Sequence, residues 1–469
     1  MNVLFLTSEA RPFAASGGLA DVSAALPKAL CAQKVNTRVV LPLYADVPES
    51  LRAGMRFVKS ITVPLSWRQQ YCSIFEARHD GVTYYLLDNE YYFKRAGLYG
   101  HYDDAERFAL FARAALELVC HIKFSPDIIH CNDWQTALVP IYRQLFYAEH
   151  PRLSGVKTVM TIHNIQYQGI YGKEILGDVF GLPPAAASLV MFNSNVNLLK
   201  GGLECTDRIT TVSETYAGEI LDPWFSHGLD PILRERRWKL SGIINGIDTS
   251  AYNPETDPEL FAHFSADDLS GKAENKSALQ ERLGLDSGQE PLIGMVTRLT
   301  GHKGLDLVRT RLDAILNKGA QMVVLGSGDL EYQRFFEEKA KQYPGQFVFV
   351  QGFVPELAQK IYAGADLFLM PSQQEPCGLA QMIALRYGTI PIVRETGGLA
   401  DTVQDSGGGE GNGFTFGTYN ADDMAQAVFR AIDGFANPEG WRLLQKRAMA
   451  CDNGWARSAG TYLRLYQSI

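Results

Sequence analysis

Short β-branched runs alternate with amphipathic stretches from one end of the chain to the other. The runs 3–7, 37–41, 127–130, 158–162, 209–212, 292–296, 322–325, 347–350, 366–370 and 390–393 read as strands, and most lead into apolar residues at helical spacing. After the first run, Val22, Leu26 and Leu30 form the stripe of a helix lying on a sheet. This alternation predicts an α/β chain with parallel, doubly wound sheets covered on both faces, and ligands beyond the carboxyl ends of the strands. Between Ile61 and Asp88 the rhythm changes: strands follow one another without helices and include Asp80-Gly81, which predicts an antiparallel hairpin excursion.

Turn residues crowd together at Asn245-Gly246-Ile247-Asp248, Asn253-Pro254 and Asp257-Pro258 before a new series of α/β units begins. The predicted organisation is a Rossmann-like domain over 1–245, a second over 246–454, and a terminal helix over 455–469. The apolar positions Tyr462, Leu463, Leu465 and Tyr466 suit that helix to packing back on the first domain. Two domains also fit the length, since 469 residues exceed what a single core usually serves.

Composition narrows the function classes. With 46% hydrophobic and 20% charged residues the chain can bury large cores and is not a disordered protein. Lys plus Arg number 44 against 52 Asp plus Glu, a net charge of −8, and no long basic run tracks a phosphate backbone, so nucleic acid is not an expected partner. The first residues enter a strand directly, without a basic stretch followed by an apolar core, and no apolar run reaches membrane-spanning length. The seven cysteines are odd in number and never spaced as Cys-x-x-Cys, against a disulfide framework or zinc cage. A cytoplasmic protein with no membrane partner is expected.

Candidate chemistry sits just past strand ends. The pentapeptide Gly-Gly-Leu-Ala-Asp occurs at Gly17–Asp21 and again at Gly397–Asp401, each time in a turn where a helix is expected to begin. Glycine admits close approach of a ligand, and free N–H groups at a helix start favour a phosphate; the alternative is that each diglycine merely relieves crowding. In 297–304, Arg298 and Lys303 present a guanidinium fork and an ammonium suited to a diphosphate, or a solvated basic loop. In 371–379, Glu375 is placed to bind sugar hydroxyls or stabilise a cationic anomeric carbon, or to act as a helix N-terminal acid. His163, beside Asn164, follows the strand 158–162. Asp133-Trp134 follows another and offers an acceptor beside a flat face for a pyranose ring, or an N-cap with a buried Trp.

Taken in order, Gly-Gly-Leu-Ala-Asp-Val, Asn-Asp-Trp, Thr-Ile-His-Asn-Ile-Gln-Tyr-Gln-Gly, Asn-Gly-Ile-Asp, Thr-Arg-Leu-Thr-x-x-Lys-Gly, Glu-Pro-Cys-Gly-Leu and Thr-Gly-Gly-Leu-Ala-Asp-Thr-Val resemble the bacterial glycogen synthase and plant starch synthase family over essentially the whole chain. The resemblance implies a GT-B fold, two Rossmann-like domains facing across a deep cleft. It implies transfer of glucose from ADP-glucose to the non-reducing 4-hydroxyl of an α-1,4-glucan with retention, without metal or cofactor. Nucleotide sugar and α-glucan are then the partners, and an oligomer is compatible with it. It assigns the diphosphate to Arg298 and Lys303, the glucose to Glu375 and the Gly378-Leu379 turn, and the reacting sugar to His163. Phe353 falls beside the adenine, Gly17 and Gly18 on the donor side, and Asp133, Trp134, Asn164 and Asn245 at the sugar and acceptor. The motifs do not separate a front-face reaction from a covalent double displacement.

Three positions depart from the family pattern. Ala15 stands where the first loop carries lysine, Gln135 where Asp-Trp is followed by histidine, and Ala380 where a hydroxyl residue is common. A lost charge-assisted hydrogen bond of roughly 1.5–3 kcal/mol corresponds to about ten- to a hundredfold in donor binding or turnover. The sequence therefore leaves three readings: an ADP-glucose-dependent synthase, a paralogue using UDP-glucose or a short maltodextrin acceptor, and a catalytically weak glucan-binding or regulatory relative. The presence of Arg298, Lys303, Glu375 and His163 speaks against the last.

Overall fold

The computed structural model describes residues 1–469 apart from the surroundings of Gly408. It divides into two compact units, Met1–Ile243 with Trp455–Ile469, and Ile244–Gly454. The boundary falls just ahead of the expected one, so Asn245 belongs to the second unit.

The first unit is built on a nine-stranded sheet in the order 240–242, 208–211, 157–162, 128–132, 2–6, 36–42, 82–88, 68–79 and 56–65. The pairings are parallel as far as Val82–Asp88 and antiparallel beyond it. The excursion foreseen at 61–88 is therefore the edge of the main sheet. Its strand Val82–Asp88 runs parallel to Asn36–Pro42 and joins it to the antiparallel strands. Val3, Leu4, Phe5 and Leu6 are all fully buried, because a central parallel strand is covered on both faces and so reads as continuous apolar sequence.

Helix Gly18–Ala32 turns Val22, Leu26 and Leu30 into a core shared with Trp455, Ala459, Tyr462 and Tyr466 of the terminal helix. That helix packs back on the first unit as its pattern predicts. Its Tyr466 Oη lies 2.6 Å from His130 Nδ1, whose Nε2 lies 2.6 Å from Thr161 Oγ1. Burial pushes the His130 pKa down to about 3, so a neutral imidazole joins the two hydroxyls. A small antiparallel sheet of 170–171, 195–197 and 191–192, not foreseen from sequence, follows the His163 loop.

The second unit carries a six-stranded, wholly parallel sheet in the order 347–351, 321–326, 292–296, 367–370, 390–394 and 414–416. Its chain starts at Leu292–Val296, proceeds to one edge, then returns to Leu367–Met370 on the other side. The strand order thus reverses between these two neighbours. In the first unit it reverses between Asn2–Leu6 and Ile128–Asn132. Loops diverge at such points and leave a crevice at the carboxyl ends, the usual seat of ligands in open α/β sheets. Among the described residues no helix is long and apolar enough to cross a membrane.

Candidate active site

In the second unit, the loops after Leu292–Val296 and Leu367–Met370 meet backbone to backbone. Gly304 has φ 72°, and a Cβ there would stand 2.0 Å from the Pro371 carbonyl oxygen, so only glycine permits the approach. The contact brings Lys303 to Glu375: Nζ donates to Oε2 at 2.7 Å, and Ser372 Oγ donates to the same oxygen at 2.9 Å. Burial pushes the Glu375 pKa up, but the Lys303 ammonium, Ser372 and His302 more than offset it, and the carboxyl ionises below its usual range. A cavity of about 170 Å³ opens over this pair, lined among others by Thr297, Arg298, Ser372, Gly378 and Leu379.

Arg298 is exposed and makes no ion pair among the described residues, which leaves its guanidinium available to a ligand. Gly378 adopts φ 71°, and Gln381 Nε2 donates to the Cys377 and Gly378 carbonyls at 3.0 Å, fixing the turn behind Glu375. Ala380 lines the cavity as well. Phe353 stands 79% exposed after the edge strand Phe347–Gln351 and is not among the lining residues. Asn245 hydrogen-bonds the Cys377 sulphur through its backbone and side chain, and its Oδ1 is buried without a partner. That places it beside the Glu375 turn.

The two Gly-Gly-Leu-Ala-Asp copies play different parts. A Cβ on Gly397 would stand 2.0 Å from the Glu375 carbonyl oxygen and one on Gly398 2.1 Å from that of Cys377. The Gly398 N–H already donates to the Glu375 carbonyl at 3.2 Å. The expectation of a ligand-facing helix start is corrected here: these glycines make room for the turn that carries Glu375. In the first copy nothing lies within 4 Å of a Cβ built on Gly17 or Gly18, so crowding does not require them. Yet the N–H groups of Ser16 and Gly17 are not free for phosphate, since both donate to Glu9 Oε2. Ala15 beside them is exposed. Glu9 itself is buried, which pushes its pKa up against those hydrogen bonds.

Asp133 and His163 occupy adjoining strand ends of the first unit. Asp133 is neither an N-cap nor a free acceptor: its carboxylate accepts from the His163 N–H at 2.7 Å and from that of Asn164. Burial outweighs both bonds and pushes its pKa up to about 7. Its backbone sits at φ 55°, ψ −177°, a sparsely populated region for any residue with a side chain. His163 Nε2 lies 2.8 Å from Asn132 Oδ1, and Asn132 Nδ2 donates to the Leu6 carbonyl at 2.9 Å. Asn132 thus presents an acceptor, which makes His163 Nε2 the donor and leaves the lone pair on Nδ1. Burial pushes the His163 pKa down to about 3, and the ring is neutral at ordinary pH.

Trp134 is not an open platform. Its ring lies 5.2 Å from that of Phe108 and 6.0 Å from that of Tyr171, and a Cβ on Gly169 would meet its Cε3 at 2.6 Å. It acts as a wedge under the loop after His163. The Asn164 side chain accepts from the Gln166 N–H at 2.9 Å and shapes that loop. Gln135 is buried with its Oε1 unpartnered. Sequence reasoning passed over Glu9, Asn132 and Ser372. Glu9 was within reach, since it follows a strand end as His163 does; Ser372 and Asn132 carry no signal beyond proximity to a motif.

The comparisons agree with this geometry. A family model described as the starch synthase catalytic domain matches residues 2–235, and one described as glycosyl transferases group 1 matches 278–439. The chain is 52% identical to a glycogen synthase of Bacillus anthracis and 48% identical to one of Alkaliphilus metalliredigens, in each case over the full length of both. The solved catalytic domain of starch synthase IV from Arabidopsis thaliana, bound to ADP and acarbose, superposes with a TM-score of 0.91 at 36% identity, covering 99% of this chain and 98% of that one. A sucrose-phosphate synthase from Thermosynechococcus elongatus, at 18% identity and TM-score 0.61, shares the fold. The architecture is the two-domain α/β GT-B type, and the chain belongs to the glycogen synthase and starch synthase family of glycosyltransferases.

Proposed function

We propose that the chain transfers glucose from ADP-glucose to the non-reducing 4-hydroxyl of an α-1,4-glucan with retention of configuration. The observation that carries this reading is the Lys303–Glu375–Ser372 constellation with the unpaired Arg298, set at the point where the second unit's strand order reverses. Departure of ADP builds negative charge on the diphosphate. Arg298 and Lys303 line the cavity where they would stabilise it, Lys303 held in place by Glu375, with no metal ion in the scheme. Glu375, held ionised by Lys303, places a carboxylate where the glucose becomes cationic at its anomeric carbon.

The solved relative is bound to ADP and acarbose, and ADP is the nucleotide this reading requires. In the first unit, the lone pair on His163 Nδ1 presents an acceptor to a hydroxyl group, and His163, Glu9 and Asp133 bring no cation to a phosphate. Phe353 supplies a stacking face for the base.

The test is incorporation of labelled glucose into glycogen from ADP-glucose and UDP-glucose in parallel, with and without EDTA, for the chain and its Ala15→Lys variant. The reading expects EDTA-resistant incorporation from ADP-glucose by the unmodified chain. Incorporation only from UDP-glucose, or only after Ala15→Lys, overturns it.

A further inference from the structure

The charges gathered about the loop 297–304 do not by themselves neutralise a diphosphate. Arg298 and Lys303 supply two positive charges, while Glu375 and Asp329 supply two negative ones, and Lys303 is committed to Glu375 at 2.7 Å. The diphosphate of a nucleotide sugar brings two more negative charges. One further group in the cluster can gain a positive charge, and that is His302.

His302 lies in the same single turn, Gly301–Lys303, and is half-buried. Its ring nitrogen is 3.3 Å from Thr300 Oγ1. Its carbonyl accepts from the Gln373 N–H at 2.9 Å, which ties it to the loop carrying Ser372 and Glu375. The charges whose fields reach it are Lys303 and Arg298 from its own loop, Glu375 from the turn after Leu367–Met370, and Asp329 just before Leu330–Gln342. Burial and the two cations hold its pKa below the usual histidine value, so the resting ring is neutral. A bound diphosphate reverses the sign of the local field by adding negative charge beside those cations.

We propose that His302 takes up a proton when the nucleotide-sugar diphosphate binds and serves as the third cation of that site. The inference rests on the donor reading above and deepens it. By linkage, affinity is insensitive to pH above the bound-state pKa and tightens as pH falls toward the resting one, by at most about tenfold per pH unit. His302 is therefore a donor-binding residue whose contribution depends on pH, unlike those of Arg298 and Lys303.

Calorimetric titration of the full chain with ADP-glucose, without glucan, tests this between about pH 6 and pH 8 in paired buffers of different ionisation heat. ADP-glucose has no group that titrates in that window, so protons taken up on binding belong to the protein. The expected result is uptake of a substantial fraction of a proton near pH 6.5 and about three- to tenfold tighter binding at pH 6 than at pH 8. His302→Gln should lose both the uptake and the pH dependence, its affinity staying level from pH 6 to pH 8. His302→Lys should bind at all pH values about as tightly as wild type does at pH 6. Binding without proton uptake, or uptake that survives in His302→Gln, overturns the proposal and leaves the donor reading standing. No binding of ADP-glucose at any pH overturns both.

Discussion

Replacing Asp133 by Asn should stabilise the first unit at alkaline pH and impair the enzyme. Asp133 combines a strained backbone with a carboxyl whose pKa burial pushes from 3.8 up to about 7. A raised folded-state pKa gives stability that is fully present below the unfolded value and lost as pH rises through the folded one. At about 1.4 kcal/mol per unit, ionising Asp133 in place costs about 4 kcal/mol above pH 7. Asn keeps one oxygen for the His163 and Asn164 N–H groups but loses the second acceptor, worth about 1 kcal/mol. The net gain at pH 8 is then about 2–3 kcal/mol, or roughly 5–10 °C in the melting temperature of a unit this size.

Scanning calorimetry of wild type and Asp133→Asn at intervals from pH 4 to pH 8 measures the difference, in which the other titrating groups cancel. It should be near zero or slightly negative at pH 4 and grow steadily toward pH 8. A difference that is flat with pH, or Asn less stable at pH 8, would refute the assignment of a buried, destabilised carboxyl. Glucosyl transfer should fall at the same time, because a carboxyl kept at such a cost in stability persists where a site uses it. Full activity in the stabilised variant would deprive the carboxyl of a function.

Three further outcomes follow from the second unit and the repeated motif. Lys303→Ala should cost about 3–5 kcal/mol at neutral pH by leaving Glu375 buried and unpaired, and adding Glu375→Gln should restore most of that stability in a urea titration without restoring activity. Phe353→Ala should weaken ADP-glucose binding by about 1–3 kcal/mol, read as a raised KM, with a melting temperature unchanged because the ring is exposed. The two glycine repeats should respond oppositely to alanine. Gly398→Ala forces a Cβ to 2.1 Å from the Cys377 carbonyl and should lower the melting temperature by several degrees, whereas Gly18→Ala meets open space in a helix and should be neutral or raise it by a few.

The fold was legible because each domain is wound from units whose polarity pattern is local. The strand Leu292–Val296 was placed to the residue, since a central parallel strand leaves an unbroken apolar run between turn residues. The antiparallel edge was legible as a hairpin but not as part of the main sheet. That Val82–Asp88 would join it to the main sheet depends on register with Asn36–Pro42, which no local pattern encodes. The residues proposed for the site were picked out past strand ends for the same reason as the strands. What each side chain touches was not. The open face imagined for Trp134 is closed by Gly169, whose role depends on a loop returning from elsewhere in the chain. The two identical pentapeptides were indistinguishable until their surroundings were known, since the difference lies in the Glu375 turn packed on one of them.

Charge separates what the two strand-order reversals can hold. The first unit gathers Glu9 and Asp133, both with raised pKa values, around a neutral His163, and Ala15 adds no cation. Two N–H groups of its glycine loop, those of Ser16 and Gly17, are turned onto Glu9 and so are not open to a phosphate. Such a cluster brings no cation to a diphosphate. The second unit instead fixes Arg298 and Lys303 at its strand ends, with His302 between them in sequence and Glu375 held in place by Lys303. Under the proposed function, this division assigns the anionic donor to the second unit through charge and the neutral glucan to the first. On that division, Ala15 removes a charge from the side that the sugar occupies, and the work of holding the diphosphate falls on the loop from Thr297 to Gly304.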